Sequence, residues 1–309
     1  MTVKMYIDSG EEQLLSLYPK EEARALLGMA LEHFCRLPSH LYYTDPHRPL
    51  STACVCDLQN ALEDLCRAKP IQYILGETLF EGCRIKVREG VLIPRPETAE
   101  LVRWAKEELA KSPRESLHII DLCTGSGAIA IALAKAFPKA KVYGADISGE
   151  ALEVAEENNS INQTEVGFFK TNVLQPPASP CLPLPHSVDL VISNPPYVLE
   201  SEQSLMRPNV LCFEPHEALF VPDDDPLLFY RAIAGWGKQL LTDKGLLMLE
   251  VNERMVWEGG DILKSAGFQD VTIKEDLNGK PRMCCAGLGT VSTFFPTHQN
   301  ARSHPYLCQ

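Results

Sequence analysis

The 309-residue sequence has no excess of positive charge. Its 29 Lys and Arg stand against 41 Asp and Glu, for a formal net charge of −12. Proteins that grip nucleic-acid backbones carry a basic face that replaces condensed counterions, so nucleic acid is not expected as a direct partner. An acidic surface serves solubility equally well. No apolar run approaches the roughly 20 residues that a membrane helix needs, and no membrane partner is expected. The first ten residues have neither a basic n-region nor an apolar h-region, which predicts no secretory signal. There are 11 cysteines but no CxxC pair. Cys54 and Cys56 form a lone CxC, and Cys284 and Cys285 are adjacent. Neither has a Cys/His pair to match it at zinc-ligand spacing, so no metal is expected. Thiols scattered without a framework fit a reducing cytoplasm. No internal repeat is visible.

What is present suits one large or two modest globular domains, with hydrophobic residues at 45%. Residues 11–67 read as helical. Ala23, Leu26, Leu27, Ala30, Leu31 and Phe34 share one face of a helix over 21–34, which Pro38 is expected to end. Leu58, Leu62 and Leu65 line a second helix over 57–66, with Asp57 as its expected N-cap and Lys69-Pro70 as its stop. Residues 71–94 alternate loosely between apolar and polar around Gly82 and Gly90, as a hairpin connector would. Leu92-Ile93-Pro94-Arg95-Pro96-Glu97-Thr98 then leads into a helix reaching about Ala110.

From Leu117 the rhythm is strand and helix in turn. Strands are expected at 117–122, 141–145, 166–170, 188–193 and 245–251. Helices are expected at 127–137, 150–158, 226–241 and 258–266. An antiparallel pair, 268–274 with 282–287, closes the series around Asn278-Gly279. This alternation predicts a doubly wound α/β sheet. The Pro-rich stretch 176–185 reads as a loop, and 290–309 as a flexible tail.

Asp121-Leu122-Cys123-Thr124-Gly125-Ser126-Gly127 falls between a strand and a helix. Glycine there lets backbone approach a ligand closely. With Ala130 the loop satisfies G-x-G-x-x-G/A, which fits NAD, FAD and S-adenosylmethionine alike. Asp146, about 20 residues on at a strand end, can accept ribose hydroxyls and also fits all three. Asp121 tilts the balance: a carboxylate before the loop suits a cationic amino-acid moiety and repels a pyrophosphate.

Ser193-Asn194-Pro195-Pro196-Tyr197 follows the fourth strand, at the sheet end where ligands bind. Two prolines stiffen the loop and keep only their carbonyls as acceptors. Asn194, before a proline, is held extended. An amide nitrogen is a poor nucleophile because its lone pair is delocalised. A site that accepts both of its N–H groups pins it and favours pyramidalisation, and the Asn194 oxygen and the Pro195 carbonyl suit that task. Tyr197 can lay its ring on the planar group. Aligning nitrogen and sulfonium methyl supplies on the order of 7–11 kcal/mol of the barrier. Nitrogen methylation follows, with adenine or cytosine amines and glutamine amides all open as substrates.

The ordered set of motifs resembles the release-factor glutamine methyltransferases, the PrmC/HemK family, nearly to Gly289. The resemblance rests on Pro70-Ile71-Gln72-Tyr73-Ile74-Leu75-Gly76, the 92–98 segment, the glycine loop, Asp146 and Asn194 to Tyr197. Phe213-Glu214-Pro215-His216 and Gly245-Leu246-Leu247-Met248-Leu249-Glu250 add to it. It implies a Rossmann-like class I methyltransferase sheet behind a small N-terminal helical domain, divided as 1–70, 71–94, 95–289 and a tail. It implies methyl transfer from S-adenosyl-L-methionine to N5 of the glutamine in the GGQ motif of class 1 peptide chain release factors, gripped in part by the N-terminal domain. By position, Cys123, Thr124, Gly125, Ser126, Gly127, Asp146, Asn172, Val173 and Asn194 would bind the cofactor. Asn194, Pro195, Pro196 and Tyr197 would hold the substrate. A ribosomal-protein glutamine methyltransferase or a DNA adenine N6-methyltransferase is the alternative. Three positions depart from the family pattern: Cys123 stands for a usual glycine, Asn172 for a common acid and Ala99 for a usual glutamate.

Overall fold

The computed structural model describes residues 1–111, 116–177, 184 and 187–289. The chain opens on α1 (Val3–Leu14), whose N-cap Thr2 accepts the Met5 N–H at 3.4 Å. In α2 (Lys20–Cys35) Glu21 and Glu22 occupy the first turn, where acidic charge complements the helix dipole. This helix ends ahead of Pro38, because Arg36 turns left-handed at φ 56°. A single turn, α3 (Leu41–Thr44), leads to α4 (Thr52–Cys66). Its cap is Ser51, which accepts the Cys54 N–H at 3.2 Å, and not Asp57, which lies exposed inside the helix. Residues 71–75, expected to open the connector, instead form α5 (Ile71–Leu75) between Pro70 and a left-handed Gly76. Ile71 joins Ile7, Leu27, Leu31, Leu58 and Leu65 in one apolar core.

The hairpin follows as β1 (Glu77–Phe80) and β2 (Cys83–Lys86), joined through Glu81 and Gly82 at φ 48° and 78°. Positive φ at both central residues matches the twist of a tight hairpin. α6 (Pro96–Lys111) comes next, then β3 (His118–Leu122), α7 (Ala128–Ala136), β4 (Lys141–Asp146), α8 (Gly149–Asn162), β5 (Val166–Lys170) and β6 (Val188–Ser193). Two asparagines of α8 fasten the hairpin to the sheet domain. Asn158 accepts the Lys86 N–H at 2.7 Å and donates to the Lys86 carbonyl, and Asn162 does the same with Arg84. Beyond β6 lie β7 (Val198–Leu199), α9 (Pro208–Leu211), β8 (Phe220–Val221), α10 (Leu228–Leu240), β9 (Leu241–Glu250), α11 (Val256–Ser265), β10 (Gln269–Glu275) and β11 (Pro281–Gly287).

The large sheet has the order β10-β11-β9-β6-β3-β4-β5. β5, β4, β3, β6 and β9 are parallel, and β11 is antiparallel to both its neighbours. Successive residues serve opposite faces, as strand geometry requires. Ile119, Leu190 and Ile192 pack under α6 and α7, while Ile120, Val191 and Leu249 pack under α10 and α11. Both faces are covered, which is why all six residues of β6 are buried. β9 begins at Leu241 directly after α10, ahead of the expected Gly245. The chain runs outward from β3 to β4 and β5 on one side, and to β6 and β9 on the other. β3 is therefore the switch point, and a crevice opens past the carboxyl ends of β3 and β6. Most of the expected 176–185 loop and all of the 290–309 tail lie outside the described residues. Among the described residues, no helix is long and apolar enough to cross a membrane, and no group of His, Cys, Asp or Glu is placed to hold a metal ion.

Candidate active site

A cavity of about 270 Å³ occupies that crevice, just under the roughly 300–1,000 Å³ typical of small-molecule sites. The ends of β3, β4, β5 and β6 all reach it. Residues 123–126, Asp146, Asn172, Val173, Asn194 and Pro196 line it. Gly127, Pro195 and Tyr197 do not.

The glycine loop is tied to β4. Asp146 accepts the Gly125 N–H at 2.8 Å on one oxygen and the Ser148 N–H at 2.9 Å on the other. Each oxygen keeps a lone pair for a further donor. Burial raises the Asp146 carboxyl above its ordinary value, against the pull of these backbone donors. Gly125 is left-handed at φ 54° with nothing within 4 Å of where a Cβ would stand. Gly127 is left-handed too, but a Cβ there would come within 2.9 Å of the Phe168 ring and 3.0 Å of Ala155. Its role is thus to let α7 start against the sheet. Cys123 adopts φ 59°, which L side chains resist and glycine would not. Its thiol is pushed well up, mainly by burial and then by Asp146 and Asp121, so it sits there neutral.

Asp121 lies fully buried behind the loop. It accepts the Thr124 hydroxyl at 2.5 Å on Oδ2, and the Ala130 backbone N–H also favours its ionised form. Burial pushes this carboxyl up to about 8. Asp121 does not line the cavity; it ties Thr124 of the loop from behind.

After β5, Asn172 accepts the Leu174 N–H at 3.0 Å, which ties its oxygen to its own turn. Trp236 of α10 donates to the carbonyls of Val173 and Gln175, both at 2.9 Å, and fixes this wall.

Asn194 is held from α6. Its Nδ2 donates to Thr98 Oγ1 at 3.0 Å, and Thr98 donates to Glu250 Oε2 at 2.7 Å. Tyr197, expected to present its ring to substrate, donates its hydroxyl to Glu250 Oε1 at 2.9 Å, and its carbonyl accepts from Asn252. These bonds anchor the Tyr197 hydroxyl and backbone. Glu250 ends β9 fully buried. Burial lifts its carboxyl to about 6, against the two hydroxyls that favour its ionised form. Burial also raises Tyr197 well above the usual phenol range, so it keeps its proton.

Two of the sequence motifs are tied together beside the cavity. Arg95 pairs with the buried Glu214 at 2.5 Å, and Glu214 also accepts the Ile93 N–H at 3.2 Å. Pro94 on one segment and Pro215 and Glu217 on the other line the cavity. Thr98, Glu214, Glu250 and Trp236 are the residues that motif reading left without a role. Glu250 carried a legible signal, an acid closing an apolar strand, the same mark that drew attention to Asp146.

A sheet of this order, ending in an antiparallel pair and holding a glycine loop at its switch point, is the fold of a methyltransferase. Residues 105–212 match the family model "Methyltransferase small domain", and residues 7–76 match "PrmC N-terminal domain". The chain is 39% identical over 284 residues to the release factor glutamine methyltransferase of Flavobacterium psychrophilum, covering 92% of this chain and 98% of that one. To the protein of the same description from Bacteroides thetaiotaomicron it is 38% identical over 275 residues, covering 89% and 96%. A solved release factor-specific protein-(glutamine-N5) methyltransferase from Alicyclobacillus acidocaldarius is 25% identical with a TM-score of 0.38, covering 64% of this chain and 94% of that one. The chain belongs to the release factor glutamine methyltransferase family.

Proposed function

We propose that this protein transfers a methyl group from S-adenosyl-L-methionine to the N5 amide nitrogen of the glutamine in the GGQ motif of class 1 peptide chain release factors, in the cytoplasm. Its relatives are named release factor glutamine methyltransferases, which supports a release-factor glutamine as the substrate. The observation that carries the chemistry is Asn194. Its NH2 group is taken by Thr98, which leaves Oδ1 as the free acceptor beside the cavity.

The residues present fit the cofactor. The spare lone pairs of Asp146 suit ribose hydroxyls, and residues 123–126 offer backbone without obstruction at Gly125. Val173 and Asn172 border the adenine side. When bound, S-adenosylmethionine supplies an electrophilic methyl on a sulfonium. Asn194 Oδ1 and the Pro195 carbonyl accept the two N–H groups of the substrate amide and hold its nitrogen in line. Pro196 and the anchored Tyr197 keep that frame rigid. The nitrogen becomes acidic on alkylation, so its proton leaves without a strong base. Residues 1–70 grip the release factor, 71–94 connect, and 95–289 carry the chemistry.

The test is methyl transfer from labelled S-adenosylmethionine, offered separately with release factor, ribosomal protein and DNA. Label on the release factor that disappears when its GGQ glutamine is replaced supports the proposal. Label confined to DNA or to ribosomal protein refutes it. Asn194→Ala should lose turnover by about 100-fold, the scale of one preorganised polar group, and keep most of its cofactor affinity.

A further inference from the structure

We infer that Thr98 and Glu250 are positioning residues that hold the Asn194 carboxamide with its oxygen, and not its NH2 group, toward the substrate. The inference rests on the proposed role of Asn194 as acceptor for a substrate amide. A carboxamide has nearly the same shape when turned by half a revolution, so packing does not choose between its two orientations. Turned the wrong way, Asn194 would set N–H against N–H.

Hydrogen-bond direction makes the choice. An ionised carboxylate only accepts, so the single hydroxyl proton of Thr98 goes to Glu250 at 2.7 Å. The Thr98 oxygen can then only accept from Asn194, at 3.0 Å, and must be met by an N–H. Reversal would leave the Asn194 and Thr98 oxygens 3.0 Å apart with no proton between them. Tyr197 occupies the second Glu250 oxygen at 2.9 Å, so the carboxylate cannot turn away. The direction of the chain therefore depends on Glu250 being ionised. A protonated Glu250 donates to Thr98, Thr98 donates to the Asn194 oxygen, and the carboxamide turns over. The groups that face Glu250 are Thr98 and Glu97 on α6, Tyr197 beyond β6, Tyr230 on α10 and Arg282 on β11. Glu97 opposes its ionisation and Arg282 favours it. With burial lifting the carboxyl to about 6, turnover of the carboxamide falls just below neutral pH.

The test compares the wild type with T98V, T98S and E250Q, using labelled S-adenosylmethionine and a GGQ-containing release factor across pH 5–8. T98V should lose about tenfold in kcat, the scale of one neutral hydrogen bond, with cofactor Kd changed by no more than about twofold. T98S should restore kcat. Wild type and T98S should lose kcat below about pH 6, while T98V and E250Q should lack that acidic limb. T98V that turns over like the wild type, or keeps the limb, overturns the inference and leaves the proposed function standing. A wild type that never methylates the release factor overturns the proposed function instead. Hydrogen exchange of the Asn194 carboxamide then still judges the geometry without substrate: protected in wild type and T98S, fast in T98V. Equal rates in all three would sink the inference.

Discussion

Glu250 should make the protein less stable as pH rises toward neutrality. Its carboxyl is fully buried, and burial raises it from the ordinary 4.5 to about 6 despite two hydroxyl donors. Between those values the folded protein holds more protons at this site than the unfolded chain. Stability therefore falls with rising pH across that window. The contribution is fully present below about 4.5 and lost once pH passes about 6. At about 1.36 kcal/mol per pH unit, the loss comes to about 2 kcal/mol. Glu250→Gln cannot ionise and escapes it. Urea unfolding followed by circular dichroism from pH 4 to 7.5 should show the variant gaining on the wild type by about 2 kcal/mol, with the whole gain between pH 4.5 and 6. Taking the difference between the two proteins cancels the other buried carboxyls, Asp121 and Asp146. A difference that stays flat with pH would refute the reasoning, because it would mean that Glu250 ionises as easily in the fold as outside it. The variant should be the more stable protein at pH 7 and the poorer enzyme, since the ionised form is what directs Thr98 and Asn194.

Three further outcomes follow from the same geometry. Gly125→Ala should cost about 1–2 kcal/mol, from left-handed strain alone, and chiefly weaken cofactor binding, whereas Gly127→Ala adds close contacts with Phe168 and Ala155 and should cost about 2–4 kcal/mol. Thermal unfolding beside cofactor titration separates the two, and equal stability losses would contradict the assignment of Gly127 to packing. Arg95→Ala strands the buried Glu214 and should cost about 2–3 kcal/mol by urea unfolding once the partial exposure of Arg95 is discounted, with Arg95→Lys recovering much of it. Trp236→Phe leaves the Val173 and Gln175 carbonyls without their donor and should raise cofactor Kd about tenfold, measured by calorimetry; an unchanged Kd would show that this wall is held by something else.

Much of this protein was legible in the order of its residues. The alternation from Leu117 predicts the parallel sheet, because apolar runs punctuated by glycine and proline have few other ways to bury themselves. The glycine loop, Asp146 and Asn194 predict the cavity, since sheet chirality brings the ends of parallel strands to one edge. Local capping was less legible: Ser51 displaces Asp57, and Arg36 ends α2 before Pro38, because several residues can satisfy the same few free backbone groups. α5 went unread because five residues are too short for a helical period to show.

What only the tertiary structure decided is the direction of the hydrogen bonds around Asn194. Thr98, Tyr197 and Glu250 come from α6, the loop beyond β6 and the end of β9, with as many as 152 residues between bonded partners. The sequence by itself determined that an asparagine stands beside two prolines at a strand end, and hence that a nitrogen could be pinned there. Which end of that asparagine faces the substrate depends on one buried carboxylate keeping its charge, and burial is a property of the packed fold.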